Sequence, residues 1–121
     1  MSKQITIRMP QPLLDKWLAA LRSGEYRQTQ EVMSDRRGGY CCLGVLQKCA
    51  TGRVTPDHAA DDELPSMAWL KRNNVEFKTQ GLWAAQSPFL PSLCMSAASA
   101  NDDGFTFPEI ADAIEACAEG Y

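Results

Sequence analysis

The sequence predicts a small single domain over residues 1–121, α+β and mainly α, with about four to five short helices and one or two short β-hairpins. Three observations carry this. Apolar residues recur at helical spacing near both ends of the chain. Residues 4–9 alternate apolar and polar. Gly, Pro and Asn interrupt the chain often enough that no element runs long.

The first element is "QITIRM". Ile5, Ile7 and Met9 lie on one side, Gln4, Thr6 and Arg8 on the other. That alternation predicts a half-buried strand, or else an extended arm without a partner strand. Next comes "PQPLLDKWLAALRSGEY", a helix whose stripe is Leu13, Leu14, Trp17, Leu18 and Leu21. Pro12 suits its first turn. Asp15 early and Arg22 late suit the helix dipole, and Gly24 suits a left-handed stop.

In "YRQTQEVMSDRRGGY", Thr29, Glu31 and Met33 alternate with Gln30, Val32 and Ser34, which allows a short strand. The polar turn after it ends in Gly38 and Gly39, both able to take positive φ. Arg36 and Arg37 make this the most basic spot in the chain. They are either simply solvated or able to hold an anion with guanidinium forks and exposed backbone N–H groups.

"YCCLGVLQKCATG" reads as a buried helix, with Cys42, Val45, Leu46 and Cys49 on one face and Gly52 as its stop. Gly44 inside it costs about 1 kcal/mol relative to Ala, a cost usually borne where another backbone or a ligand packs close. Residues 53–65 form an acidic, Pro-punctuated loop. Met67, Trp69 and Leu70 belong to a short helix that Asn73 and Asn74 end. Val75–Phe77 and Leu82–Ala84 suggest a strand pair around Gly81. "PSLCMSAASANDDG" reads as a small-residue helix ending at Asn101, with Gly104 as stop. The last helix opens on a capping box, Thr106 with Glu109, and Pro108 lies in its first turn. It buries Phe107, Ile110, Ala111, Ile114 and Cys117 and turns Asp112, Glu115 and Glu119 outward.

Net charge is −3, unevenly placed. Residues 1–53 hold nine Lys/Arg and four Asp/Glu, +5; residues 54–121 hold three and eleven, −8. The two halves either neutralise each other across one fold or present two faces to partners. Neither arrangement predicts direct duplex DNA binding, which needs a concentrated basic surface. No apolar run approaches the ~20 residues of a membrane span, and "MSKQITIRMP" lacks the pattern of a signal peptide. A cytoplasmic protein without membrane partners is expected.

The five cysteines are Cys41, Cys42, Cys49, Cys94 and Cys117, an odd number that predicts reduced thiols in such a compartment. There is no CxxC pair and His58 is the single histidine, so neither a structural zinc site nor another metal or cofactor is expected.

Four blocks then carry a resemblance. "WLAALRSGEYRQT", "YCCLGVL", "LPSMAWL" and "ANDDGFTFPEIADAIE" follow one another in an order that resembles a family of small phage and prophage proteins. Its marks are a Tyr-Cys-Cys-Leu-Gly-Val segment and an Asn-Asp-x-Gly…Phe-x-x-Ile-Ala-x-x-Ile-Glu segment. The resemblance spans roughly residues 17–115. Ala100 departs from it, standing where the pattern usually has Leu. The family has no settled activity, so the resemblance implies a phage origin and action in the host bacterial cytoplasm, not a mechanism.

Three functional readings follow. A thiol enzyme would need Cys41 or Cys42 as thiolate, beside a base or a positive field. His58 sits among Asp57, Asp61 and Asp62, which oppose ionisation, and free cysteine is commonly core. No catalytic residue is therefore assigned. A small-ligand binder, such as a nucleotide-signal sponge for an anionic ligand, would use Arg36, Arg37, Tyr40, Cys41, Asn101 and Asp102 around a shared pocket walled by Trp17, Tyr26 or Trp69. Asn101 and Asp102 read equally as a helix stop and turn. The favoured reading is a phage accessory protein that binds and inhibits a host protein, a defence or transcription component. Its acidic surface would include Asp61, Asp62 and Glu63 together with the last helix.

Overall fold

The computed structural model describes residues 4–30, 39–52, 67–77 and 89–121. Those residues form a small, mainly helical α+β fold with five short helices and several short strands. The opening strand is β1 (Ile7–Met9), with Ile7 and Met9 fully buried and Arg8 half-buried. It is no free arm. It pairs antiparallel with β4 (Glu76–Phe77) and parallel with β7 (Ala118–Gly120), so it is the middle strand of a three-stranded sheet. Thr6, placed on the outer side by simple alternation, is instead buried. Its N–H donates to the Cys117 carbonyl at 2.9 Å and its hydroxyl to the Phe89 carbonyl at 2.7 Å. Two long-range bonds outweigh the period.

Helix α1 (Gln11–Ser23) buries Leu14, Trp17, Leu18 and Leu21 and stops at Gly24, φ 77°. It packs against α2 (Cys42–Thr51) and α5 (Phe107–Cys117). Helix α2 stops at Gly52, φ 83°. Its buried run is Cys42 to Gln47, while Cys49 is only half-buried. Helix α3 (Met67–Arg72) ends in a Schellman turn with Asn74 left-handed at φ 61°. There the Asn74 N–H reaches the Lys71 carbonyl and the Val75 N–H reaches the Leu70 carbonyl, and Leu70 and Val75 are both buried. The capping box of α5 is present as the sequence predicts, Thr106 and Glu109 bonding reciprocally.

Three expectations change. Gly39 does not form a positive-φ turn; it is buried in β3 (Gly39–Tyr40), which pairs parallel, not as a hairpin, with β2 (Arg27–Gln28). Strand pairing thus sets in before Thr29. Glu76–Phe77 pairs with β1; its expected partner, Leu82–Ala84, lies outside the described residues. The single helix expected over 91–101 is broken into a 3₁₀ turn (Pro91–Leu93), a left-handed Cys94 at φ 54°, strand β6 (Met95–Ser96) and α4 (Ala97–Asp102). Ser96 supplies the reason: its hydroxyl accepts from the Ser99 N–H and caps a new helix there. Strand β6 pairs antiparallel with β5 (Phe89–Leu90), the one short hairpin among the described residues.

Gly120 closes the fold. Strand β7 brings it against the start of α1, and the Gln11 N–H and Tyr121 N–H exchange backbone bonds with the Tyr121 and Met9 carbonyls at 2.9 and 3.1 Å. A Cβ at Gly120 would lie 2.9 Å from the Gln11 Cα and closer still to its side chain. Gly120→Ala is therefore expected to cost about 1–3 kcal/mol through overpacking, read by urea denaturation. Thr106→Ala should cost about 1 kcal/mol by the same assay. The Thr106 N–H and hydroxyl hold the Glu109 carboxyl below its ordinary value. That contribution is complete above the unfolded carboxyl range, about pH 4.3, and is lost as pH falls through the lower folded value. The stability gap between the native chain and Glu109→Gln should accordingly close on acidification across that window.

Candidate functional site

The N-terminus of α2 is where the sequence-predicted residues meet. Cys41 is the N-cap, and its Sγ accepts from the Gly44 N–H at 3.4 Å. Cys42 follows, fully buried, with all its polar atoms engaged. Its N–H donates to Asn101 Oδ1 at 3.2 Å, its carbonyl accepts from the Trp17 indole N–H at 2.9 Å, and its thiol donates to the Ala97 carbonyl at 3.4 Å. The doublet therefore ties α1, α2 and α4 together.

Asn101 approaches from α4, also fully buried. The Schellman turn that ends α4 fixes its position: the Gly104 N–H donates to the Asn101 carbonyl and the Phe105 N–H to the Ala100 carbonyl, with Gly104 at φ 95°. Oδ1 of Asn101 accepts twice, from Cys42 N–H and from Gln28 Nε2 at 3.1 Å, and Nδ2 donates to the Thr29 carbonyl at 2.7 Å. Gln28 also donates to the Phe105 carbonyl at 2.7 Å, and its Oε1 accepts from the Phe107 N–H at 3.1 Å. Gln30 donates to the Asn101 carbonyl at 3.3 Å.

Asn101 and Cys42 thus do meet, but their polar atoms are spent on one another and on backbone, as buried polar groups generally are. Trp17, named as a wall, is wholly buried and bonded to Cys42. Tyr40 is half-buried beside them. Its ring stacks edge-on with Tyr26 at 5.5 Å, and the Lys48 ammonium lies 5.9 Å from its centroid. Asp102 is exposed. Arg36, Arg37, His58, Asp61, Asp62 and Glu63 lie outside the described residues.

The electrostatics of the doublet oppose thiol chemistry. Burial pushes the Cys41 thiol up to about 11, beyond what the Gly44 and Leu43 N–H groups recover, and the Asp102 charge adds to the rise. Burial and the neighbouring Cys41 push Cys42 up further. At neutral pH a thiol at about 11 is thiolate in roughly one molecule in ten thousand. Cys49 is raised too, by burial. Among the described residues, no three His, Cys, Asp or Glu side chains converge as a metal site requires.

Gln28 is the residue of this cluster that sequence reasoning missed; a glutamine between two tyrosine-bearing segments carries no periodic or motif signal. A second feature was also missed. A groove of about 530 Å³ runs between α1 and the α5–β7 segment, lined by Ile5, Leu14, Leu18 and Ala118 with Asp15, Glu115 and Glu119 at its edge. Ala118 and Glu119, expected at the end of the last helix, lie instead in strand β7, and the pairing of β1 with β7 sets these residues side by side.

Comparison with known proteins adds one likeness. Residues 9–52, well under half of the chain, match a family model described as a domain of unknown function (DUF8296). That segment holds α1, β2, β3 and α2, including the cysteine doublet. No curated protein and no solved structure matches the chain.

Asn101→Ala should destabilise the protein by about 3 kcal/mol in urea denaturation, because it removes the partners of the buried Cys42 N–H, of one Gln28 amide N–H and of the Thr29 carbonyl. In the folded protein at pH 8, Ellman's reagent should label exposed Cys94 first. Cys41 and Cys42 should react only as fast as the protein unfolds, which peptide mapping of the labelled thiols will show.

Proposed function

We propose that this chain is a phage-encoded accessory protein that works as a binding module, engaging and inhibiting a host protein in the bacterial cytoplasm. A defence or transcription component is the target class. One observation carries the reading: every charge that the C-terminal third contributes is acidic, with Arg8 and Arg22 meeting only part of it. Residues 89–121 contain six Asp/Glu and no Lys, Arg or His. Of the six, Asp102, Asp103, Glu109, Asp112, Glu115 and Glu119 are all exposed. A surface of this kind steers toward basic partners and away from nucleic acid and small anions. The spent polar atoms and protonated thiols of the Cys41–Asn101 cluster weigh against the enzyme and sponge readings at that place. No helix among the described residues is long and apolar enough to cross a membrane, which is compatible with the proposed site of action.

The test is capture from host lysate on the immobilised protein, followed by the captured protein's activity assay. A specific partner should be retained, inhibited, and lost from a variant carrying Asp112→Asn, Glu115→Gln and Glu119→Gln. These substitutions touch only surface ion pairs, so the fold should hold within about 1 kcal/mol. A partner whose activity is unchanged on binding would overturn inhibition. Retention of the same partner by the neutralised variant would overturn the acidic surface as its contact.

A further inference from the structure

We infer that the groove between α1 and the α5–β7 segment docks a linear segment of a partner protein that alternates basic and aliphatic side chains; this rests on the reading of the chain as a protein-binding module.

The floor and the edge of the groove ask for different chemistry. Leu14 and Leu18 stand one helical turn apart on α1, and with Ala118 they form a nearly buried apolar floor beside half-buried Ile5. Ile5 is half-buried although it opens the alternation that buries Ile7 and Met9, so its remaining apolar surface faces the groove. One helical turn is about 5–6 Å, close to the spacing of alternate side chains on an extended strand. An extended peptide can therefore rest an aliphatic group on Ile5 and the edges of Leu14 and Leu18.

The edge is acidic beyond its own neutralisation. Asp15, Asp112, Glu115 and Glu119 bring four negative charges to the groove and its flank. Arg22 meets Asp112 and Glu115, each at 2.7 Å, and Arg8 meets Glu119 at 3.1 Å. Among the described residues, four carboxylates against two guanidinium groups leave a surplus of two negative charges. Among the described residues Asp15 meets only a neutral partner, the Gln11 amide at 2.8 Å. An arriving cation would find that carboxylate ready, and closing the groove over it would strengthen the pair by excluding water. The same surplus repels a phosphate or a nucleic acid backbone. A purely aliphatic segment would leave the carboxylates facing apolar surface, which is costly. Charge and floor together select an amphipathic basic segment.

The probe is a fluorescein-labelled twelve-residue peptide of alternating Arg and Leu, measured by fluorescence anisotropy with the full-length protein. Two counterparts alternate Glu with Leu and Arg with Ser. The Arg–Leu peptide should bind at least tenfold more tightly than either. Amide shifts should concentrate at Ile5, Leu14, Asp15, Leu18 and Ala118. The exposed double variant Asp15→Lys with Glu119→Gln should weaken it roughly tenfold, with an unchanged thermal melt showing that the fold persists. Equal affinity for the double variant, or shifts centred elsewhere, would overturn the groove. A host protein captured equally by the native chain and by the double variant would also overturn it, while leaving the binding-module reading standing. Groove-centred peptide binding that the double variant loses, with no host protein captured at all, would support the groove and count against the host-inhibitor reading.

Discussion

The fold turns on one carboxamide. A helix N-terminus leaves backbone N–H groups without intrahelical partners, and α2 begins inside the protein where water does not reach them. Asn101 answers the Cys42 N–H from a different helix, and through Gln28 and Thr29 the same side chain reaches strand β2. Gln28 in turn pairs the Phe105 carbonyl and the Phe107 N–H, the backbone between α4 and α5. Two amides thus satisfy four backbone groups, at Cys42, Thr29, Phe105 and Phe107. Apolar packing alone would hold α1 on α2 and α5, since it is indifferent to small slips. The hydrogen bonds are directional and hold α4 in one place.

This also accounts for two adjacent cysteines. A serine at position 41 would cap α2 more strongly, but the position is nearly enclosed, and a hydroxyl there is dearer to desolvate than a thiol. At position 42 the side chain sits fully buried against the Ala97 carbonyl. A thiol fills that space as a small apolar group while keeping a weak donor. The environment that makes the pair good packing material is the one that keeps it protonated. Structure and reactivity are here alternatives, and burial decides between them.

How much of this could be read in advance follows from how local each cause is. The stripes of α1 and α5, the Gly24 and Gly52 stops, and the Thr106–Glu109 box all depend on residues within one or two turns of each other, so they are legible. Asn101 was legible as a helix end and as a neighbour of the cysteine segment, because the same blocks stand in order along the chain. Its partner Gln28 was not, since nothing in a polar stretch says which amide turns inward. Nor were the parallel pairings of β1 with β7 and of β2 with β3, since nothing within a short strand names its partner. The break at Cys94 was hidden for the opposite reason. Small residues suit a helix throughout 91–101, and the choice fell to the Ser96 hydroxyl.

Charge shows the same hierarchy. The +5 and −8 halves admit either mutual neutralisation or separate faces, and the described residues show neutralisation in part. Arg8 and Arg22, from the basic half, reach Glu119, Asp112 and Glu115 in the acidic one. Those contacts are exposed, and their worth to stability is small. They follow from the fold more than they cause it: β7 must lie parallel to β1, and Gly120 must let the start of α1 approach, before Arg8 can find Glu119. The closure that joins the two ends of the chain also sets Asp15 across from Glu115 and Glu119 over an apolar floor. Two arginines do not balance that gathering of carboxylates. The sheet pairing that completes the core is therefore what concentrates the unneutralised charge, so a slip of β7 against β1 would disperse the groove even with every groove residue intact.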